Sequence, residues 1–402
     1  MRRRRVKVTG IGPVTPAGIG RAHFASGILE SKSRTENFKK NDPNYGPFVA
    51  GVVQDFNLST YIDRFPGQNG AARHTQFAIA ASILALADAN VTASEFSSGS
   101  RSLLVSGTSL MDCEGLKRSY DQVAKLGVKG AYTRAVYSAN VASIASTVAN
   151  ALNLSPRMLA LQSSCCSGLD AIGYAANEIA EGKAEIALCG GTEAPLFSHP
   201  MIELRSAGLM SHSSDEPEKQ CRPFDLWRTT GVVSEGACMF ILEPEESKRE
   251  AYAYIEGYAY ASDNNDGGCK GLLAAMQNAL AEARRDIHEV DVVNAWGPGH
   301  RFIDAAESTA LISLMGRHLA NVAVTSIKGA IGNPLGAAGA MQVASSSLGL
   351  KSQVLTPTVN WEIPDPSCPL NLFNRAVQLT HNLVLVNAHG ISGSNSSLVL
   401  SR

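Results

Sequence analysis

The sequence predicts an α/β protein built in layers from two similar halves. Short β-rich runs alternate along the chain with alanine-rich helical patterns, the signature of layered α/β architecture. Each half also contains a small-residue turn feeding an apolar helix, "CCSGLDAIGYAA" from Cys165 and "NPLGAAGAMQVASSSLGL" from Asn333. Such a repeat fits duplicated α/β units better than a barrel. No low-complexity linker separates the halves, so they should share a core. The boundary is placed in the charged stretch Glu243–Ala251, giving halves 1–245 and 246–402.

The strands are apolar or β-branched runs bounded by Gly, Ser, Asn or Asp. They are Val6–Gly10, Ser102–Gly107, Met158–Gln162, Glu185–Cys189, Ala237–Leu242, Tyr252–Gly257, Asp291–Ala295, Val322–Ser326, Leu383–Ala388 and Ser397–Leu400. The helices fall between them, at Thr75–Ala89, Ala139–Ala151, Gly168–Glu181, Cys269–Ala283, Ala305–Met315 and Gly336–Gly349.

The composition narrows the function. The chain has 402 residues, 45% hydrophobic and 18% charged, enough for one large or two ordinary domains. Its 35 basic and 36 acidic residues nearly cancel, which argues against nucleic-acid binding and against an acidic tail. Arg2 to Arg5 lead into a strand and not into an apolar signal segment, so a solvated terminus is expected. The longest apolar run, Phe77–Ala87, suits a buried helix and is too short to span a membrane. Eight cysteines without a CxxC pair or metal-ligand spacing predict a reducing, cytoplasmic setting and no metal.

Cys165 and Cys166 lie between a strand and a helix start. A thiol there feels the positive end of the helix dipole, which lowers its pKa and favours the thiolate nucleophile. The placement resembles a nucleophile elbow, although the residues differ. Two small buried cysteines would give the same letters.

The resemblance to the β-ketoacyl-acyl-carrier-protein synthases, the ketosynthases of fatty-acid and polyketide pathways, covers almost the whole chain. "VKVTGIGPVTPAGIG" resembles the family's first strand and turn, and "SSCCSGLDAIGYAANEIAEGKAEIALCGGTEA" its nucleophile segment. "AGLMS", "CRPFDLWRTTGVVSEGACMFILE", "VTSIKGAIGNPLGAAGAMQ" and "LVNAHGISGSNSSLVL" follow in family order. The resemblance implies a thiolase-type fold, five-layered α-β-α-β-α with two pseudo-symmetric halves. It implies a homodimer, or a heterodimer with another ketosynthase. It also implies acyl carrier protein as partner, with a phosphopantetheine-linked acyl chain, and no cofactor. It places the nucleophile at Cys165 and leaves Cys166 inert. Its oxyanion hole would use the backbone N–H groups of Cys165 and Ile391, in a loop that keeps Gly390 and Gly393.

The same resemblance exposes departures. Elongating members use two histidines, and Trp296 and Asn333 stand in those places. Lys328 and Glu307 match the family's lysine and acidic position, while Gln342 replaces a glutamate. In the family the histidines stabilise the charge that grows on malonyl thioester as CO₂ leaves. An aimed donor of this kind contributes ~3–4 kcal/mol, so decarboxylation should suffer more than acylation. An asparagine serves in a related branch; a Trp indole N–H can donate but cannot act as a base. His389 replaces a gating phenylalanine and could substitute as general base. His300 is a second candidate, expected to be exposed. These changes suggest a chain-length-factor-like partner of an active ketosynthase. The alternatives are a Cys165-dependent acyltransferase, or a condensing enzyme working with Trp296 and Asn333.

Overall fold

The computed structural model describes residues 3–38, 47–97, 101–132, 134–263 and 269–402. Ten strands and six helices build the frame around the site. In the first half these are β1 (Val6–Thr15), α1 (Arg73–Asp88), β2 (Ser102–Gly107), α2 (Ala142–Ala151), β3 (Arg157–Leu161), α3 (Ser167–Ala180), β4 (Ile186–Glu193) and β5 (Gly236–Pro244). The second half repeats the series as β6 (Ala253–Ser262), α4 (Lys270–Ala283), β7 (Val292–Asn294), α5 (Arg301–Met315), β8 (Ala323–Thr325), α6 (Ala338–Ser352), β9 (Leu383–His389) and β10 (Ser394–Ser401).

The pairing repeats as well. The first sheet runs β3-β2-β4-β5-β1 and the second β8-β7-β9-β10-β6. In both, the first three strands are parallel and the last two join antiparallel. The sheets meet edge to edge where β1 pairs antiparallel with β6, Val6 opposite Ile255. Helix α1 covers one face of the first sheet and α4, backed by α5, one face of the second. Helices α3 and α6 pack together between the sheets, completing the five layers. Because α6 is surrounded by protein, nearly every residue from Ala338 to Leu350 is buried, as expected of a helix apolar on all sides. Its approach to α3 needs glycine: a Cβ on Gly168 would lie 2.5 Å from the Gly336 carbonyl oxygen.

Strands with helices on both faces bury both sets of side chains, so they read as continuous apolar runs. Every residue of β1 and β5 is buried. The predicted strands all form, with shifted ends; β1 continues through Pro13 to Thr15. Helix α2 starts at Ala142, and α6 starts at Ala338 after a 3₁₀ turn over Leu335–Ala337. Among the described residues, three helices of nine or more residues escaped prediction, Arg21–Leu29, Cys113–Leu126 and Ser198–Ser206, as did the short Ala93–Ser97, Arg134–Ser138 and Lys328–Ile331. The basic terminus also differs from expectation. Arg2 lies outside the described residues, but Arg3 pairs with Glu282, Arg4 with Glu185, and Arg5 with Glu245 and Glu256. These contacts fix the arginines to the fold. Among the described residues no helix is long and apolar enough to cross a membrane.

Candidate active site

The turn from β3 into α3 is built to present one thiol. Ser164 adopts a left-handed φ of 58°, an uncommon state for a residue with a Cβ. The Ser167 hydroxyl accepts from the Ser163 N–H at 2.9 Å and donates to the Ser164 carbonyl, and the Ser163 hydroxyl bonds the buried Asp170. Cys165 follows, 5% exposed, and lines a cavity of about 30 Å³. That volume holds about one water.

The thiol does not have the depressed pKa expected from the helix start. Burial pushes Cys165 up to about 11, with a contribution from the charge of Glu193, while the Ile391 N–H opposes the rise. Helix α3 begins only at Ser167, so its dipole acts from a residue's remove while desolvation acts on the sulfur itself. Cys166 is fully buried and points elsewhere: its Sγ donates to the Ser394 carbonyl at 3.4 Å. Burial raises its pKa further than that of Cys165.

The turn between β9 and β10 closes over Cys165. The Gly390 N–H donates to the Ser394 carbonyl at 2.8 Å, and the Gly393 N–H to that of Gly390 at 2.9 Å. Gly393 has φ 80°, and a Cβ on Gly390 would come within 2.9 Å of the Ser164 Cβ. Both positions therefore demand glycine. From this turn the Ile391 N–H opposes the rise in the Cys165 pKa, while Ile391 itself is 63% exposed.

The opposite wall holds Trp296, Lys328 and Asn333. Trp296 follows β7 and is 2% exposed. The Glu307 carboxylate accepts the backbone N–H groups of Trp296 and Gly297, each at 2.8 Å, and the Asn387 amide at 3.2 Å. Lys328 Nζ sits 4.0 Å from the centroid of the Trp296 ring and donates to the Trp296 carbonyl. It also donates to Gln342 Oε1 at 3.1 Å. Gln342 is neutral, and burial lowers Lys328 to about 7 despite the attraction of Glu307. Asn333 lines the cavity; its Oδ1 accepts the Leu335 N–H at 3.2 Å. The side-chain NH₂ remains as its donor.

The two candidate histidines part company. His389 and His300 both line the cavity. His300 is half-buried, not exposed, and caps α5: its Nδ1 accepts from the N–H groups of Phe302 and Ile303 at 3.3 Å. With its lone pair committed, it is not free to act as a base. His389 instead bonds Asn395 through Nδ1 at 2.7 Å. The structure thus brings Cys165, Trp296, Asn333, His389 and Ile391 to one cavity, with Lys328, Glu307 and Gln342 behind Trp296.

Sequence reasoning missed Glu193, Asp263 and Asn395. Glu193 is buried and pushed up to about 7, although it accepts from Ser109, Thr108, Leu110 and Gly336. A lone acid ending an apolar strand was the available signal. Among the described residues no cluster of His, Cys, Asp and Glu could hold a metal ion.

Comparison with known proteins gives a consistent picture. The beta-ketoacyl synthase N-terminal domain matches residues 3–248 and the C-terminal domain residues 252–362. The tetracenomycin polyketide synthase ketoacyl synthase alpha subunit of Streptomyces glaucescens is 29% identical, covering 99% of this chain and 97% of its own. The ishigamide ketosynthase/chain length factor superposes with a TM-score of 0.92 at 26% identity, covering 99% of both chains. A type II polyketide acyl-carrier protein in complex with its ketosynthase bound to the hexaketide gives 0.90 at 26% identity, again over 99% of both chains.

Proposed function

The chain belongs to the beta-ketoacyl synthase family, and from that premise we propose that it is a non-decarboxylating subunit of a polyketide- or fatty-acid-type assembly, acting as the chain-length-factor-like partner of an active ketosynthase. The observation that carries this reading is Trp296. Its ring lies 4.0 Å from Lys328 Nζ, at the position that the sequence resemblance gives to the first histidine, and about 30 Å³ is left beside Cys165. A malonyl thioester needs far more room, and it needs two donors aimed at its carbonyl oxygen. The chain-length-factor likeness of a solved neighbour supports the same role.

Strand β3 supports a partner. Among the described residues it pairs only with β2, and its other edge has no strand beside it. Met158 on β3 is 50% exposed, beside Val136 at 83% and Tyr137 at 52%. These residues border a surface cavity of about 530 Å³. An open strand edge with apolar flanks invites pairing. The partner proposed is a second ketosynthase chain, with acyl carrier protein delivering the acyl group. The test is co-expression with a ketosynthase that keeps both histidines. A stable heterodimer with no CO₂ released from malonyl carrier protein by this chain alone is expected. Rapid CO₂ release by this chain alone overturns the reading.

A second reading, acyl transfer through Cys165, is favoured by the Ile391 N–H at the sulfur. Chain-length factors usually lack the cysteine, and a retained thiol with a backbone donor can still accept an acyl group. Intact-mass detection of an adduct in the wild type and none in Cys165→Ala tests it.

A further inference from the structure

The polar residues around His389 form a chain that ends on a carboxylate. Asp263, at the end of β6, receives the Gly271 N–H on Oδ1 at 2.7 Å and the Asn395 amide on Oδ2 at 3.0 Å. The Asn395 amide nitrogen also donates to the Gly393 carbonyl at 3.1 Å. Both partners of that nitrogen are acceptors, so the Asn395 amide has one permitted orientation. Its oxygen therefore faces His389 Nδ1, 2.7 Å away, and can only accept. The proton of the neutral ring is thereby fixed on Nδ1, and Nε2 keeps a lone pair. Asp263 Oδ2 is also 3.8 Å from His389 Nδ1.

We propose that Asp263 and Asn395 are positioning residues that hold His389 as the base for the Cys165 thiol. This rests on the acyl-transfer reading. The need for a base is plain: a buried thiol at about 11 does not ionise unaided at neutral pH. In the step, Cys165 Sγ attacks the carbonyl carbon of an acyl pantetheine thioester. The new S–C bond forms as the old one breaks. The Cys165 proton passes to His389 Nε2 and then to the departing pantetheine thiolate, so no co-reactant is needed. The orientation logic is that of the Asp–His pair in serine hydrolases, with an amide interposed.

The test is single-turnover acylation of the full chain by an octanoyl pantetheine thioester, followed by intact mass. His389→Ala should slow it about a hundred-fold, the usual scale for a general base. Asp263→Asn, which keeps the side chain's shape, and Asn395→Ala should each slow it about ten-fold at saturating thioester, with half-saturation unchanged. Neither should slow a His389→Ala chain further, because deletions acting through one group are not additive. Histidine-selective ¹⁵N spectra should show the Nδ1–H tautomer for His389 and its loss in Asn395→Ala. If Asn395→Ala does not fold, Asp263→Asn alone decides. Acylation of His389→Ala at the wild-type rate overturns the base itself. If His389→Ala is slow but the other two match wild type, the positioning role fails and the base stands. Slowing that multiplies in the double variants marks a structural effect and also overturns the positioning role.

Discussion

The turn from β3 into α3 and the turn from β8 into α6 occupy equivalent places in the two halves, and they differ in what they keep. The first keeps its thiol, its unusual Ser164 backbone and a backbone donor brought by the β9–β10 turn. The second carries Lys328 paired with a neutral glutamine and a tryptophan face, and has Asn333 at the position that the sequence resemblance gives to a histidine. Acyl acceptance relies on backbone N–H groups, which survive side-chain change as long as the loop holds its shape. Charge stabilisation in decarboxylation relies on side chains, and that is where the sequence resemblance puts the departures.

The largest expected effect is at the first turn. Cys165→Ala should abolish the acyl adduct, while Cys166→Ala should retain it within about three-fold, since Cys166 faces Ser394 and not the cavity. Peptide mapping after acylation checks this, and an adduct on Cys166 would reverse the assignment. Next come the second turn and the tryptophan facing it: Trp296→His combined with Asn333→His should raise CO₂ release from malonyl carrier protein by about a hundred-fold, the scale of lost oxyanion donors. No change would show that the contrast lies in pocket volume alone. Ile391→Pro removes the N–H at the Cys165 sulfur and should slow acylation by about thirty- to a hundred-fold. An unaffected rate would mean that the β9–β10 turn contributes shape only.

The smallest effect is read as stability. Burial lowers Lys328 to about 7 from 10.5. Between those values the unfolded chain holds the extra proton, so this residue makes stability rise with pH above about 7. The slope is at most ~1.4 kcal/mol per pH unit. Urea titrations between pH 7.5 and 9 should show that slope reduced in Lys328→Met. Gln342→Glu, which supplies a carboxylate, should also flatten it by raising the folded-state pKa. An identical slope in all three would mean that Lys328 stays charged in the wild type.

Much of this architecture was legible. Strands buried on both faces carry unbroken apolar runs, as in "ACMFIL" of β5, and α6, rich in small residues, is buried on every side. The helix Cys113–Leu126 was not, because it is polar, largely exposed and short of buried anchors; of its residues only Gly115 is buried. At the site, residue type and order pointed to Cys165, Trp296, Asn333, Lys328 and His389. The thiol's environment was out of reach, since desolvation depends on the β9–β10 turn lying over it. His300 was misjudged because capping depends on where α5 starts. Asp263 and Asn395 were invisible as a pair, since β6 and β10 meet only through the antiparallel ladder that sets Ala261 opposite Asn395.

The small cavity has a kinetic consequence. Cys165 is 5% exposed, and the space beside it admits about one water, so neither reagent nor substrate can reach the sulfur while the β9–β10 turn is shut. That turn is tied by few backbone bonds, and its Ile391 tip stands in solvent. Modification of the thiol therefore works like amide hydrogen exchange, proceeding through local opening. At low reagent concentration the rate reports the open population, and at saturation it reports the opening rate itself. The labelling rate of the cysteine is thus expected to time the opening of that turn.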